Sequence, residues 1–162
     1  MSYQEKRTLT GIVTGMLVVA AYLIYVTGKY QSQAAGLNDL KFWAETMLVF
    51  IGIGVAVVIA VQIIFHILLS ISIAVKEGTD KGIEKKVEAA VVEDEMDKLI
   101  ELKSMRLGFS ICGAGFIGAL VSLALNCPAA IMLNILFLSF SLGSLSEGLL
   151  SLHYYRAGVK NG

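Results

Sequence analysis

Polar side chains recur along one face of the last long apolar segment of the chain. At about 100° per helical residue, they fall in a sector about 140° wide. A polar face of this width is costly against lipid, so it is predicted to meet another helix, a partner or a water-filled cleft. Glu147 is its most costly member. The residues of this polar face are Asn134, Ser141, Ser144, Glu147, Gly148, Ser151 and Tyr155.

Three further polar residues, Gln62, His66 and Ser70, occupy successive helical turns of an earlier apolar segment. If the two segments are neighbours, His66 could meet Glu147 or His153, and such a group could relay a proton or bind a transition metal. The spacing matches neither HExxH nor the paired Glu-x-x-His pattern of metal-binding bundles. The pattern therefore favours a structural hydrogen-bonded pair, with a proton or cation relay as the alternative. No metal and no cofactor is predicted.

Motifs of catalytic and nucleotide-binding domains are absent from the sequence. It contains no Walker A loop, no GxGxxG after a strand, no GxSxG and no Cys/His zinc spacing. The longest polar segment is too short to enclose a substrate by itself. Within the apolar segments, the plausible acid and base groups are Glu147, His66 and His153. A non-enzymatic protein is therefore predicted.

The segments that carry these polar groups have the length that a bilayer demands. The 162 residues are 56% hydrophobic and 16% charged, with a mean hydropathy of +0.74. Such values exclude a disordered chain, a disulfide-rich secreted scaffold and an ordinary soluble enzyme. Four membrane spans are predicted, at residues 8–27, 42–70, 107–125 and 129–154. The fold class is therefore an all-α integral membrane protein, residues 1–162 forming one antiparallel bundle of four transmembrane helices.

The distribution of charge predicts the orientation of this bundle. The two termini and the charged segment, residues 76–106, together carry eleven Lys or Arg residues, and the other two loops carry two. By the positive-inside rule, both termini and the charged segment lie in the cytoplasm. Thirteen basic residues balance thirteen acidic ones, so no nucleic-acid partner is predicted and the lipid bilayer is the expected surrounding.

The second half of the charged segment has the charge order of a helix start. Its acidic residues come first, which complements a helix dipole, so the third helix is predicted to begin near Asp94 and to run unbroken for about 30 residues. The second and third helices would then both extend into the cytoplasm and pack against each other there. The acidic cluster lacks an EF-hand pattern, so a solvated helix start is favoured over a divalent-cation site. The motif residues are Glu93, Asp94, Glu95, Asp97, Lys98, Glu101 and Lys103.

The stretch Glu93-Asp94-Glu95-Met96-Asp97-Lys98-Leu99-Ile100-Glu101-Leu102-Lys103 resembles a motif of small bacterial four-span membrane proteins of uncharacterised function. In that group, an Asp-Glu-Arg-Asp-Lys-Leu-Ile-Glu-Leu-Lys stretch precedes the third span. Further similar stretches are Gln4-Glu5-Lys6-Arg7, Phe65-His66-Ile67 and Tyr154-Tyr155-Arg156-Ala157-Gly158. Met96 replaces the usual basic residue, which removes any salt bridge or anionic-lipid contact of that residue.

The resemblance implies a bacterial cytoplasmic membrane as the location. Members of the group are often encoded beside a helix-turn-helix regulator, which implies a sensing or signalling role by association alone. The resemblance implies no catalytic residue.

Small residues recur at every fourth position in the first three spans, and such seams let helix backbones approach closely. Packing within one chain is the favoured interpretation, and a homo-oligomer is the alternative. The seam residues are Gly11, Gly15, Gly52, Ala56, Ala60, Ser110, Ala114, Gly118 and Ser122, with Gly115 and Ala119 alongside.

Two functions follow as hypotheses. The long charged segment favours a non-enzymatic protein that interacts with a cytoplasmic protein partner, or senses the bilayer, through this segment. The polar face of the fourth span favours instead a small oligomeric transporter or channel whose path that span lines. The absence of an inverted repeat speaks against transport.

Overall fold

The computed structural model describes residues 3–32, 36–77 and 94–158, and every regular element in these ranges is a helix. The four helices are α1 (Tyr3–Gln31), α2 (Leu40–Glu77), α3 (Glu95–Ala124) and α4 (Ala129–Ala157). Each is long and apolar enough to cross a membrane. The all-α expectation is confirmed, and the four helices contain the four predicted spans to within one residue.

The start of α3 is set by local hydrogen bonds. The Oδ1 atom of Asp94 accepts a hydrogen bond from the Asp97 N–H at 2.7 Å, and the Asp94 N–H donates to Oδ2 of Asp97 at 3.1 Å. This reciprocal capping box satisfies two amide groups that a helix start otherwise leaves unpaired. The helix then runs for 30 residues without a break. Its predicted start and length are confirmed.

A tight turn joins α3 to α4. Asn126 has a φ of 60°, a left-handed conformation that asparagine tolerates better than most residues. The Cys127 N–H donates to the carbonyl oxygen of Ser122 at 3.0 Å, which closes the last turn of α3. Pro128 immediately precedes α4, where its missing N–H costs no helical hydrogen bond. The predicted tight connection is confirmed.

Small residues bring α3 and α4 into close contact along their lengths. A methyl group on Gly143 would lie 2.7 Å from Sγ of Cys112 and 2.9 Å from the carbonyl oxygen of Gly108, and one on Gly115 would overlap Ser139. Close approach of this kind is typical of helices that associate in membranes.

The seam of α3 that makes this contact differs from the predicted one. Ser110 and Ala114 are exposed, whereas Ser104 and Gly108 are buried against α4. Further along α3, Ala119 and Ser122 are buried as the predicted seam requires, and Gly118 approaches the side chain of Ile135. Residues 52, 56 and 60 of α2 are all exposed, so the predicted seam of α2 is not buried within the described part of the chain.

One end of the molecule holds a compact core of α1, α2 and α4. Its buried members are Tyr22, Val26, Trp43, Met47 and Ala130. The ring of Tyr22 lies 4.3 Å from that of Phe137 and 5.4 Å from that of Phe50, centroid to centroid. Aromatic contacts of this kind add to the stabilisation that burial gives.

Away from this core, α2 lines one side of a wide crevice instead of packing on its neighbours. Gly54 still approaches Val18 of α1, but no described residue of α2 beyond it is buried. The expected packing of α2 and α3 outside the spans is not seen among the described residues, where these two helices make at most marginal contact. The first turns of α3 lie instead beside the polar end of the crevice.

Candidate functional site

The crevice lies between α1, α2 and α4 and has a volume of about 940 Å³. This volume is at the upper end of the range for small-molecule sites. Residues 4–19 of α1, 50–66 of α2 and 137–155 of α4 contribute its walls, and Asp97 and Glu101 of α3 close one end. The crevice therefore draws on all four helices.

The two ends of the crevice differ in character. One end is apolar, with Val18 of α1, Phe50 of α2 and Phe137 of α4 in its wall. The other end is polar and receives side chains from every helix. These polar lining residues are Gln4, Arg7, Gln62, His66, Asp97, Glu101, Glu147, Ser151 and Tyr155. A cavity with this division can hold a ligand that has a polar head and an apolar tail.

The polar face of α4 turns toward the crevice along most of its length. Ser144, Glu147 and Ser151, predicted as candidate functional residues, all line it. So do Gln62 and His66 of α2, which brings the polar groups of two distant segments to one space. Ser70 does not line the crevice. Its hydroxyl donates a hydrogen bond within α2, to the carbonyl oxygen of His66 at 2.9 Å.

Asn134 lies outside the crevice and has a structural role. Its Oδ1 atom accepts a hydrogen bond from the hydroxyl of Tyr22 at 2.7 Å, and its Nδ2 donates to the carbonyl oxygen of Ala130 at 2.8 Å. Tyr22 is 0% exposed, so this hydrogen bond satisfies a hydroxyl that burial would otherwise leave unpaired. Asn134 therefore belongs to the core between α1 and α4.

His153 also lies outside the crevice. It is exposed, and its ring lies 6.1 Å from that of Tyr154. Six residues separate it from Glu147, which places the two side chains about 120° apart around α4. A site that combines Glu147 with both histidines is therefore not formed. In residues 3–32, 36–77 and 94–158, no three His, Cys, Asp or Glu side chains are grouped as they would be around a metal ion.

Glu147 reaches the crevice over a glycine of α3. A methyl group on Gly108 would lie 3.1 Å from Oε2 of Glu147 and 3.2 Å from the carbonyl oxygen of Gly143. Glu101, about two turns before Gly108, lines the same end of the crevice as Glu147, so two like charges share this end. Asp97 lies one turn before Glu101, so three carboxylates line the polar end without being grouped around one point.

Cations are fewer at this end of the crevice. Within residues 3–32, 36–77 and 94–158, Arg7 is the one lysine or arginine that lines it. Arg156, at the end of α4, is bound to Glu5 of α1, with Nε donating to Oε1 at 2.9 Å. This ion pair joins the start of α1 to the end of α4 next to the crevice.

Two buried polar groups were not predicted as site residues. Gln4 is 9% exposed and lines the crevice, and its Nε2 has no hydrogen-bond acceptor among the described residues. Ser104 is 0% exposed, and its hydroxyl likewise has no partner there. The sequence signal was weak, because a polar residue at a helix start is ordinarily solvated.

The predicted motif around the start of α3 divides into residues with different roles. Asp94 caps α3, and Asp97 both completes that cap and lines the crevice together with Glu101. Glu95 and Lys98 are exposed, and Lys103 is half-buried. Glu93 lies outside the described residues. The acidic cluster thus forms the start of a helix, as the sequence predicted. It also contributes side chains to the crevice, which the sequence did not predict.

Comparison with known proteins gives no match to the chain, whether with family models, curated proteins or solved structures.

Proposed function

We propose that this protein is a non-enzymatic, multi-pass protein of the bacterial cytoplasmic membrane that binds an amphipathic molecule in the crevice and signals its presence through the charged segment, residues 76–106. One observation carries the proposal. The crevice, of about 940 Å³, has one apolar end and one polar end, and all four helices contribute to the polar end. This division matches the polar head and apolar tail of an amphipath.

The expected topology supports the same assignment. In an antiparallel bundle whose termini are cytoplasmic, Gln4, Glu101 and Tyr155 all lie toward the cytoplasmic face. The polar end of the crevice then lies at headgroup depth, and the end near Phe50 lies in the hydrocarbon. A lipid or lipid-like ligand meets both surroundings in this order.

The start of α3 connects the crevice to the charged segment. Asp97 and Glu101 lie in the first two turns of α3 and line the polar end. Residues 78–93, which precede α3, belong to the charged segment through which a cytoplasmic partner would bind. A ligand head that contacts Asp97 or Glu101 therefore acts on the helix directly attached to that segment.

Native mass spectrometry of the gently extracted full-length protein tests the binding proposal. The variant Ser144→Phe introduces a large side chain at an exposed position that lines the crevice. Ser110→Phe is the matched control, because Ser110 is exposed on α3 and does not line the crevice. We expect an amphipathic ligand to be retained by the wild-type protein and by Ser110→Phe, and to be lost from Ser144→Phe. Equal retention by the two folded variants, or no retained ligand at all, contradicts the proposal.

Transport is the second candidate, and the polar face of α4 favours it. Ser141, Ser144, Glu147 and Ser151 all line the crevice, so a polar path runs along one helix. An oligomer could use the exposed small residues 52, 56 and 60 of α2 as its interface. Flux of a solute into liposomes that is lost in Glu147→Gln, together with a closed oligomer in the native mass spectrum, would favour transport over sensing.

A further inference from the structure

The charges at the polar end of the crevice define the head of the ligand. We propose that the ligand is an amphiphile whose head carries a protonated amine, with the ammonium group between Glu147 and Glu101 and the chain extended toward Phe50. This inference rests on the proposed function and names the ligand class of the same site.

The excess of carboxylates is the first argument. Asp97 and Glu101 line this end from α3 and Glu147 from α4, whereas Arg7 is the single lysine or arginine among the described lining residues. Because Glu101 and Glu147 line the same end of the crevice, a cation bound between them is attracted by both carboxylates. An ammonium group supplies a compact charge with several hydrogen-bond donors, and its bonds to carboxylates are among the stronger ones.

Gln4 supplies the second, independent observation. Its side chain lines the crevice at 9% exposure, and its Nε2 has no acceptor among the described residues. A buried amide left without a partner is costly, so this position favours a ligand with a polar atom at the same level. Because an amide presents both N–H donors and a carbonyl acceptor, Gln4 can pair with a hydroxyl, an ester or a phosphate oxygen next to the amine.

The apolar end sets the length of the tail. Glu147 and Phe137 are ten residues apart on α4, a distance of about 15 Å along the helix, which suits a chain of roughly ten to twelve carbons. Phe50 of α2 and Val18 of α1 complete the wall at this end. Apolar contact along the chain supplies binding energy in proportion to the area buried.

Other head groups fit less well. The described lining residues supply three carboxylates and one guanidinium, so a carboxylate or a phosphate without an amine is repelled. A neutral alcohol gains no attraction from the charges of Glu101 and Glu147. Of the three head groups, the amine is therefore expected to bind most tightly.

Three amphiphiles of equal chain length test this ranking: dodecylamine, dodecanol and dodecanoate. Each is titrated at neutral pH into the full-length protein in phosphatidylcholine nanodiscs, and binding is measured by native mass spectrometry. We expect dodecylamine to bind at least about tenfold more tightly than the other two, and Glu147→Gln or Glu101→Gln to weaken it by about tenfold.

Glu45→Gln is the matched control for these variants. Glu45 is an exposed carboxylate of α2 that does not line the crevice, and its surface pair with Lys41 has an N–O distance of 3.7 Å. The control removes the same charge and should bind dodecylamine as the wild type does. Glu101→Gln covers the case in which Glu147→Gln fails to fold, since Glu101 is exposed at the end of the crevice.

A second arm distinguishes a membrane lipid from a free amine as the source. Phosphatidylethanolamine and phosphatidylcholine with identical acyl chains are offered to the protein in mixed nanodiscs. Selective retention of phosphatidylethanolamine supports the amine head group and identifies the ligand as a membrane lipid. If neither lipid is retained but dodecylamine binds, the amine head group is supported and the ligand is a free amine.

The outcomes separate this inference from the proposed function. Equal or tighter binding of dodecanol or dodecanoate, or binding of dodecylamine that is unchanged in both folded variants, overturns the amine head and leaves a crevice that binds amphipaths. If none of the three amphiphiles and neither lipid binds, both proposals fail.

Discussion

Replacement of Gly143 by alanine tests the close packing of α3 on α4. The added methyl group would lie 2.7 Å from Sγ of Cys112 and 2.9 Å from the carbonyl oxygen of Gly108. The first contact could be relieved by a side-chain rotation, but the second is with backbone. The helices must therefore separate locally, and overpacking of this kind typically costs about 1–3 kcal/mol. Alanine also gains up to about 1 kcal/mol over glycine through its helix propensity, which partly hides this cost.

Gly113→Ala isolates the packing cost. Gly113 lies in the interior of α3 with no atom within 4 Å of the added methyl group, so this variant has the helix-propensity gain without the clash. The difference in free energy of unfolding between the two variants should therefore be about 1–3 kcal/mol, with Gly143→Ala the less stable. Unfolding of the full-length protein in mild detergent by increasing SDS, followed by circular dichroism, measures this difference. Equal stability of the two variants would refute the described contact of α3 with α4.

Two further substitutions test the core and the start of α3. Tyr22→Phe removes the 2.7 Å hydrogen bond to Asn134 and should lower the free energy of unfolding by about 1 kcal/mol in the same SDS titration. Tyr25→Phe, at an exposed tyrosine of the same helix, should change it by less than about 0.5 kcal/mol; a similar loss in both variants would rule out a special role for the buried hydroxyl. Asp94→Ala removes the cap of α3 and should cost about 1 kcal/mol, with a measurable loss of helical circular dichroism. Glu95→Ala, one residue later and exposed, is its control, and equal effects of the two would argue against the cap.

The features that could be predicted from sequence are those that depend on neighbouring residues. The start of α3 follows from Asp94, which needs only the amide groups of its own first turn. The turn between α3 and α4 follows from Asn126 and Pro128, which restrict the backbone locally. The lengths of the four helices follow from the uninterrupted apolar residues between polar segments.

The face that each helix presents could not be derived in the same way. In the first half of α3, Ser104 and Gly108 are small residues spaced by four, and so are Ser110 and Ala114, and the helical period alone does not say which pair is buried. In a membrane protein, apolar residues are needed on the lipid-facing side as well as on the packed side, so hydropathy does not separate them.

Polarity predicted the crevice residues of α2 and α4 better than those of α1. Gln62, His66 and Glu147 are conspicuous because they interrupt apolar helices. Gln4 and Arg7 occur among other polar residues at a helix start, where nothing in the local pattern distinguishes a side chain in a site from one in water. Their place in the crevice depends on how the start of α1 meets the end of α4, which is a property of the tertiary structure.

The helix α2 is packed against its neighbours near its start only, so a tilt of the helix moves its other end most. Trp43 and Met47 hold its first turns in the core, and no described residue beyond Gly54 is buried. From Phe50 to its last residue, Glu77, the helix extends about 40 Å, so a change in tilt of about 10° around Phe50 displaces its far end by about 7 Å. A small widening of the crevice is thereby converted into a large lateral movement at the point where α2 enters the charged segment, without any change in the helix itself.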